Sequence, residues 1–68
     1  MKISINGEEK LIQSNKNISL NETMKLLGYS SNTVVVELNN LIINSEEWES
    51  KNIKDGDKFE IVSIVGGG

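Results

Sequence analysis

At 68 residues the chain is expected to form one small domain that buries only roughly 60% of its unfolded surface, so its stability is expected to be modest. It contains no cysteine and no histidine, which excludes a disulfide framework, a thiolate–metal site and every serine–histidine or cysteine–histidine nucleophile. A formal net charge of −3 argues against nucleic acid and membrane as partners and favours a basic-surfaced protein; with no apolar run of signal-peptide or membrane-span length, a cytoplasmic protein is expected.

Met1-Lys2-Ile3-Ser4-Ile5 alternates apolar and polar side chains, the pattern of a half-buried strand. Asn6-Gly7 tolerates the positive φ of a type I′ turn, so residues 8–13, carrying Leu11 and Ile12, are expected to return as a second strand. Ser19 and Glu22 have the spacing of a capping box. Leu20, Thr23, Met24 and Leu27 then form one helical stripe, and Gly28 supplies a left-handed stop. Residues 33–38, with Val34, Val35 and Val36 in succession, read as a buried strand. Asn39-Asn40 can turn the chain into a short strand over Leu41-Ile42-Ile43. Ser45 is expected to cap one helical turn over residues 46–49, with Trp48 covering the end of the core. Lys54-Asp55-Gly56-Asp57 signals a tight turn, after which the last strand runs over residues 58–65.

One helix packed across one face of a mixed sheet of four to five strands is a two-layer α+β arrangement. Pairing of the first and last strands at the sheet centre would make it a β-grasp. The expected division is a domain over residues 1–65 and a flexible glycine tail over residues 66–68.

The side chains offer no convincing site. Glu8-Glu9 and Glu46-Glu47-Glu49 read as solvated faces. Asp55 and Asp57 around one glycine provide too few oxygens for a calcium loop, so no metal site is expected. Gly66-Gly67-Gly68 has no helix after it and so cannot cradle a phosphate. Its use lies in the absence of side chains: extended, it reaches about 10 Å past the sheet and can thread a narrow tunnel in another protein. There its carboxylate could attack the α-phosphate of ATP, and a sulfur nucleophile could convert the acyl-adenylate into a thiocarboxylate. Taken alone, three terminal glycines are more often an idle frayed end.

The last strand adds weight. Phe59 and Ile61 alternate with Lys58 and Glu60, but Val62, Ile64 and Val65 then place apolar residues on both faces. Either both faces are buried, or one forms an exposed patch leading into the tail. In the second case Phe59, Val62, Ile64 and Val65 are the candidate partner-binding residues.

Asn39 followed by Leu41-Ile42-Ile43, then Trp48, Asp55-Gly56-Asp57, and Phe59-Glu60-Ile61-Val62 running into Val65-Gly66-Gly67-Gly68 resembles the sulfur carrier family of thiamine biosynthesis, ThiS. The resemblance spans the chain in length and element order and is most specific in the C-terminal half. It implies a ubiquitin-like β-grasp carrier that is a co-substrate rather than an enzyme and binds no cofactor itself. Gly68 would be adenylated by an E1-like enzyme (ThiF) using ATP. Sulfur drawn from cysteine through a desulfurase would give the thiocarboxylate, and thiazole synthase (ThiG) would take that sulfur into the thiazole ring. Gly67 matches the family's other glycine, and Gly66 falls where the family has alanine or glycine. The small subunit of molybdopterin synthase shares the fold and the Gly-Gly end, but it tends to be longer and to carry prolines before its tail; this chain has none. A carrier for another sulfur-requiring pathway and a non-covalent β-grasp interaction module are the alternatives.

Overall fold

The two hairpins of the sheet turn on asparagine. The computed structural model describes residues 1–13 and 17–64. In it β1 (Lys2–Ile5) and β2 (Glu8–Leu11) are joined by Asn6 and Gly7 at φ +51° and +86°, the pair of positive values a type I′ turn requires. The same device joins β3 (Val34–Leu38) to β4 (Leu41–Ile43), where Asn39 and Asn40 lie at φ +51° and +72°. Asparagine enters this left-handed region several-fold more readily than most residues, so short hairpins form without a glycine at each position.

Between the hairpins lies α1 (Leu20–Leu27). The Glu22 N–H donates to Ser19 Oγ at 3.0 Å, which satisfies one of the donors left open at a helix start. Gly28, at φ +87°, ends the helix, and the Tyr29 N–H reaches back to the Met24 carbonyl at 2.9 Å. Leu20, Thr23 and Met24 are buried against the sheet and Leu27 is half-buried beside them.

The last strand, β5 (Lys58–Ser63), runs parallel to β1 and antiparallel to β3, and the five-stranded sheet has the order β2-β1-β5-β3-β4. The first and last strands therefore lie side by side in its interior, the pairing that defines a β-grasp. Alternate residues Ile3, Ile5, Val34, Val36, Leu38, Phe59 and Ile61 point to the helix side and form the core with Leu20, Met24, Trp48 and Ile53. Each such side chain contributes about 1.5–3 kcal/mol by leaving water. Trp48 closes one end of the core, and its Nε1–H donates to the Ile43 carbonyl at 3.2 Å.

Four local expectations are corrected. The last strand, expected over residues 58–65, ends at Ser63, and Ile64 already lies outside it. β2 stops at Leu11, which is exposed, while Ile12 turns into the core beyond the strand. The turn before Trp48 is a 3₁₀ turn over Ser45–Glu47 that starts at Asn44 with no side-chain cap. Ser45 is inside it because the turn begins one residue early. The third strand is not buried on both faces: its burial alternates, with Val35 and Glu37 only half-buried on the outer side.

Candidate functional site

The candidate site is the C-terminal half of β5 and the sheet face around it. The N-terminal end of β5 is held by the Lys54-Asp55-Gly56-Asp57 turn. Buried Asp57 accepts from the Lys54 N–H at 2.7 Å through Oδ2 and from Asn39 Nδ2 at 3.0 Å through Oδ1. Asn39 Oδ1 in turn accepts from the Lys58 N–H at 3.0 Å, and Asp55 Oδ1 accepts from the Lys2 N–H at 2.7 Å. Both aspartates are thus spent on donors of the fold itself, two backbone N–H groups and the Asn39 side-chain amide, as turn residues use them. Among the described residues no three acidic, cysteine or histidine side chains gather as a metal site.

From that anchor the strand's two faces diverge. Phe59 and Ile61 point into the core; Phe59 is 0% exposed. This corrects the expectation that Phe59 binds a partner: its parity places it against the helix, where nothing outside the domain reaches it. Val62 and Ile64 have the opposite parity and are 58% and 54% exposed. The apolar end of the strand is therefore an exposed patch and not a doubly buried segment. Ser63 takes the inner parity yet is exposed.

The patch extends beyond the residues legible in advance. Val35 of β3 lies directly across from Val62, and Ile42 of β4, 64% exposed, shares that outer face. A pocket of about 180 Å³ opens beside Ile64, walled by Val34, Val35, Ile42, Ile43 and Trp48. Two residues before Val62, Glu60 faces Glu37 across the β5–β3 pair. Like charges directly opposite destabilise a sheet by roughly 0.2–1 kcal/mol, so this acidic rim costs the fold something.

Asn6 supplies a further element. β1 leaves the sheet after Ile5, and Asn6 follows it with its backbone N–H on the Phe59 carbonyl at 2.9 Å. Its side chain then meets Ile61, accepting from the N–H at 2.7 Å and donating to the carbonyl at 3.2 Å. A side-chain amide thereby takes the place of one more residue of β1. Val65 and the tail, Gly66, Gly67 and Gly68, lie outside the described residues; in sequence they follow Ile64 directly.

The comparisons with known proteins agree with this picture. A family model described as the ThiS family matches residues 2–68, a span that includes the tail. The crystal structure of a thiamine biosynthesis protein (ThiS) from Geobacter metallireducens superposes with a TM-score of 0.84, at 28% identity and covering 100% of both chains. An uncharacterized protein ycf40 of Trieres chinensis is 41% identical over 64 residues, 94% of this chain and 85% of that one. A thiazole synthase of Paramagnetospirillum magneticum is 37% identical over 68 residues, all of this chain but 20% of that protein.

Proposed function

The chain belongs to the ThiS family of sulfur carriers in thiamine biosynthesis, and on that premise we propose that Gly68 is the residue that carries the sulfur. Its carboxylate attacks the α-phosphate of ATP in the active site of an E1-like, ThiF-type enzyme, releasing pyrophosphate and forming an acyl-adenylate. A persulfide sulfur drawn from cysteine by a desulfurase attacks the acyl carbon and displaces AMP, and a thiol then cleaves the resulting acyl disulfide, leaving a C-terminal thiocarboxylate and a disulfide. A ThiG-type thiazole synthase takes that sulfur into the thiazole ring, and the carrier is reloaded. ATP is bound by the activating enzyme, and the carrier is a co-substrate with no turnover of its own. It works in the cytoplasm with these enzymes.

One observation carries the reading: the family match runs through Gly68, so it includes the side-chain-free tail as well as the domain. The exposed patch of Val62 and Ile64, with Val65 next in sequence, is where the activating enzyme docks. Gly66 and Gly67 give the carboxylate access to the reaction centre. Thiazole formation is favoured over molybdopterin because a relative named thiazole synthase contains a stretch similar to the whole of this chain.

Genetic complementation tests the reading. In cells lacking their own carrier, the intact chain restores growth without added thiazole, and the chain lacking Gly68 does not. Growth with the shortened chain would favour a non-covalent interaction module instead.

A further inference from the structure

Asn6 is the one asparagine of the chain that precedes a glycine. That step is the most prone of all to deamidation, because glycine has no side chain to shield its own backbone nitrogen. The Gly7 nitrogen, once deprotonated, attacks Asn6 Cγ; ammonia leaves with Nδ2, and a five-membered succinimide joins the two residues. Water then opens either carbonyl of that ring and returns aspartate or isoaspartate at position 6. No electrons change hands, and water is the sole co-reactant. Asn6 and Gly7 are both exposed and the space beside Gly7 is open, so water reaches the turn freely.

The fold adds a tether. Asn6 Oδ1 accepts from the Ile61 N–H at 2.7 Å, and Nδ2 donates to the Ile61 carbonyl at 3.2 Å. The amide that must swing toward Gly7 is therefore held against β5, and the ring closes only after both bonds open. The same two bonds are the last hold on that edge of β5. The Asn39 N–H donates to the Lys58 carbonyl and the Ile64 N–H to the Thr33 carbonyl. Hydrogen-bonded pairs alternate along the β3 ladder between them, so Phe59, Ile61 and Ser63 turn their backbone groups away from β3. On that side the Asn6 N–H meets the Phe59 carbonyl and the Asn6 amide meets Ile61. Among the described residues, the N–H and C=O of Ser63 have no partner there.

We propose that Asn6 is a deamidation site whose bonds to Ile61 slow its conversion, and whose conversion frees the second half of β5 along this edge. Aspartate keeps an acceptor for the Ile61 N–H but loses the donor, and it sets a charged oxygen against the Ile61 carbonyl, which is worse than the simple loss of a bond. Isoaspartate lengthens the backbone of the turn by one carbon and leaves its carboxylate on Cα, so neither bond survives. Val62, the next residue, belongs to the exposed outer patch, and a chemical change at the turn thereby reaches the candidate site.

The test ages the folded chain and the chain unfolded in urea side by side at mildly alkaline pH, with the products located by peptide mapping and mass spectrometry. In urea, Asn6 converts before every other asparagine. In the folded chain it converts about tenfold more slowly or less, the protection expected of a group that reacts only after a local opening. The second measurement is hydrogen exchange on Asn6→Asp, which supplies the product without ageing. Exchange at the Ile61 amide rises by about tenfold more than at Val36 in the neighbouring strand. Another asparagine converting first in urea, an Asn6 that ages as fast folded as unfolded, or an Ile61 amide unchanged in a folded Asn6→Asp chain overturns the inference. The ageing comparison uses the unsubstituted chain and does not depend on a variant folding. None of these readouts involves loading with sulfur, so failure of the carrier reading would leave them standing.

Discussion

Asn6 holds two positions at once, a left-handed turn residue in its backbone and a surrogate strand residue in its side chain. Asn6→Gly separates them, because glycine keeps the turn and removes the amide. With two bonds to Ile61 lost at about 0.5–1.5 kcal/mol each, urea denaturation should show a loss of roughly 1–3 kcal/mol, and the Ile61 amide should exchange faster than its neighbours. Asp57 is the other polar residue on which the geometry depends. Asp57→Ala leaves Asn39 Nδ2 and the Lys54 N–H without their carboxylate and should cost about 2–3 kcal/mol, since bonds to a charged acceptor are the stronger kind. Both turns were legible in the sequence because turn chemistry is local: Asn-Gly and Asp-Gly-Asp declare themselves within four residues. The bond from Asn6 to Ile61 spans 55 positions and exists only once β1 and β5 are side by side, so no short window could reveal it.

β5 is two elements in one. Its first half is a core strand gripped on both edges, and its second half presents apolar side chains on one face and open backbone on one edge. The sequence showed that apolar residues crowd its end but left burial and exposure even, because the composition of a strand does not reveal whether a second layer covers it. Parity resolves the question. Phe59 shares the phase of Ile61 and belongs to the core, and Val62 shares the phase of Glu60 and belongs to the outer face. Phe59→Ala should therefore cost about 3–5 kcal/mol as a core cavity. Val62→Asp should change stability by no more than about 0.5 kcal/mol and yet raise KM for the activating enzyme. The acidic rim behaves differently again. Glu60→Lys replaces a like-charge pair with Glu37 by an opposite-charge pair and should stabilise the fold by several tenths of a kcal/mol while weakening loading. A variant more stable and less active, seen by thermal unfolding and loading kinetics on the same sample, would mark Glu60 as a residue kept for its partner.

The whole domain holds one strand steady and leads it to a tail. The sheet order, the buried helix stripe and the Trp48 plug serve to place β5 in the middle of the sheet and release it at one end. Most of that architecture could be read in advance, since alternation, capping and glycine stops specify elements, and the C-terminal motif carried the family and hence the topology. The contributions of Val35 and Ile42 to the outer patch could not be read. They come from strands remote in sequence, and three valines in a row read as burial until the register sets Val35 opposite Val62. On the proposed reading the chemistry sits on no side chain. Its most direct test is the intact mass of the carrier after incubation with the adenylating enzyme, ATP and a sulfur source. The account predicts a mass increase equal to exchanging one oxygen for sulfur, located by fragmentation at Gly68 and absent when Gly68 is deleted. An unchanged mass, under conditions that load an established ThiS protein, would contradict it.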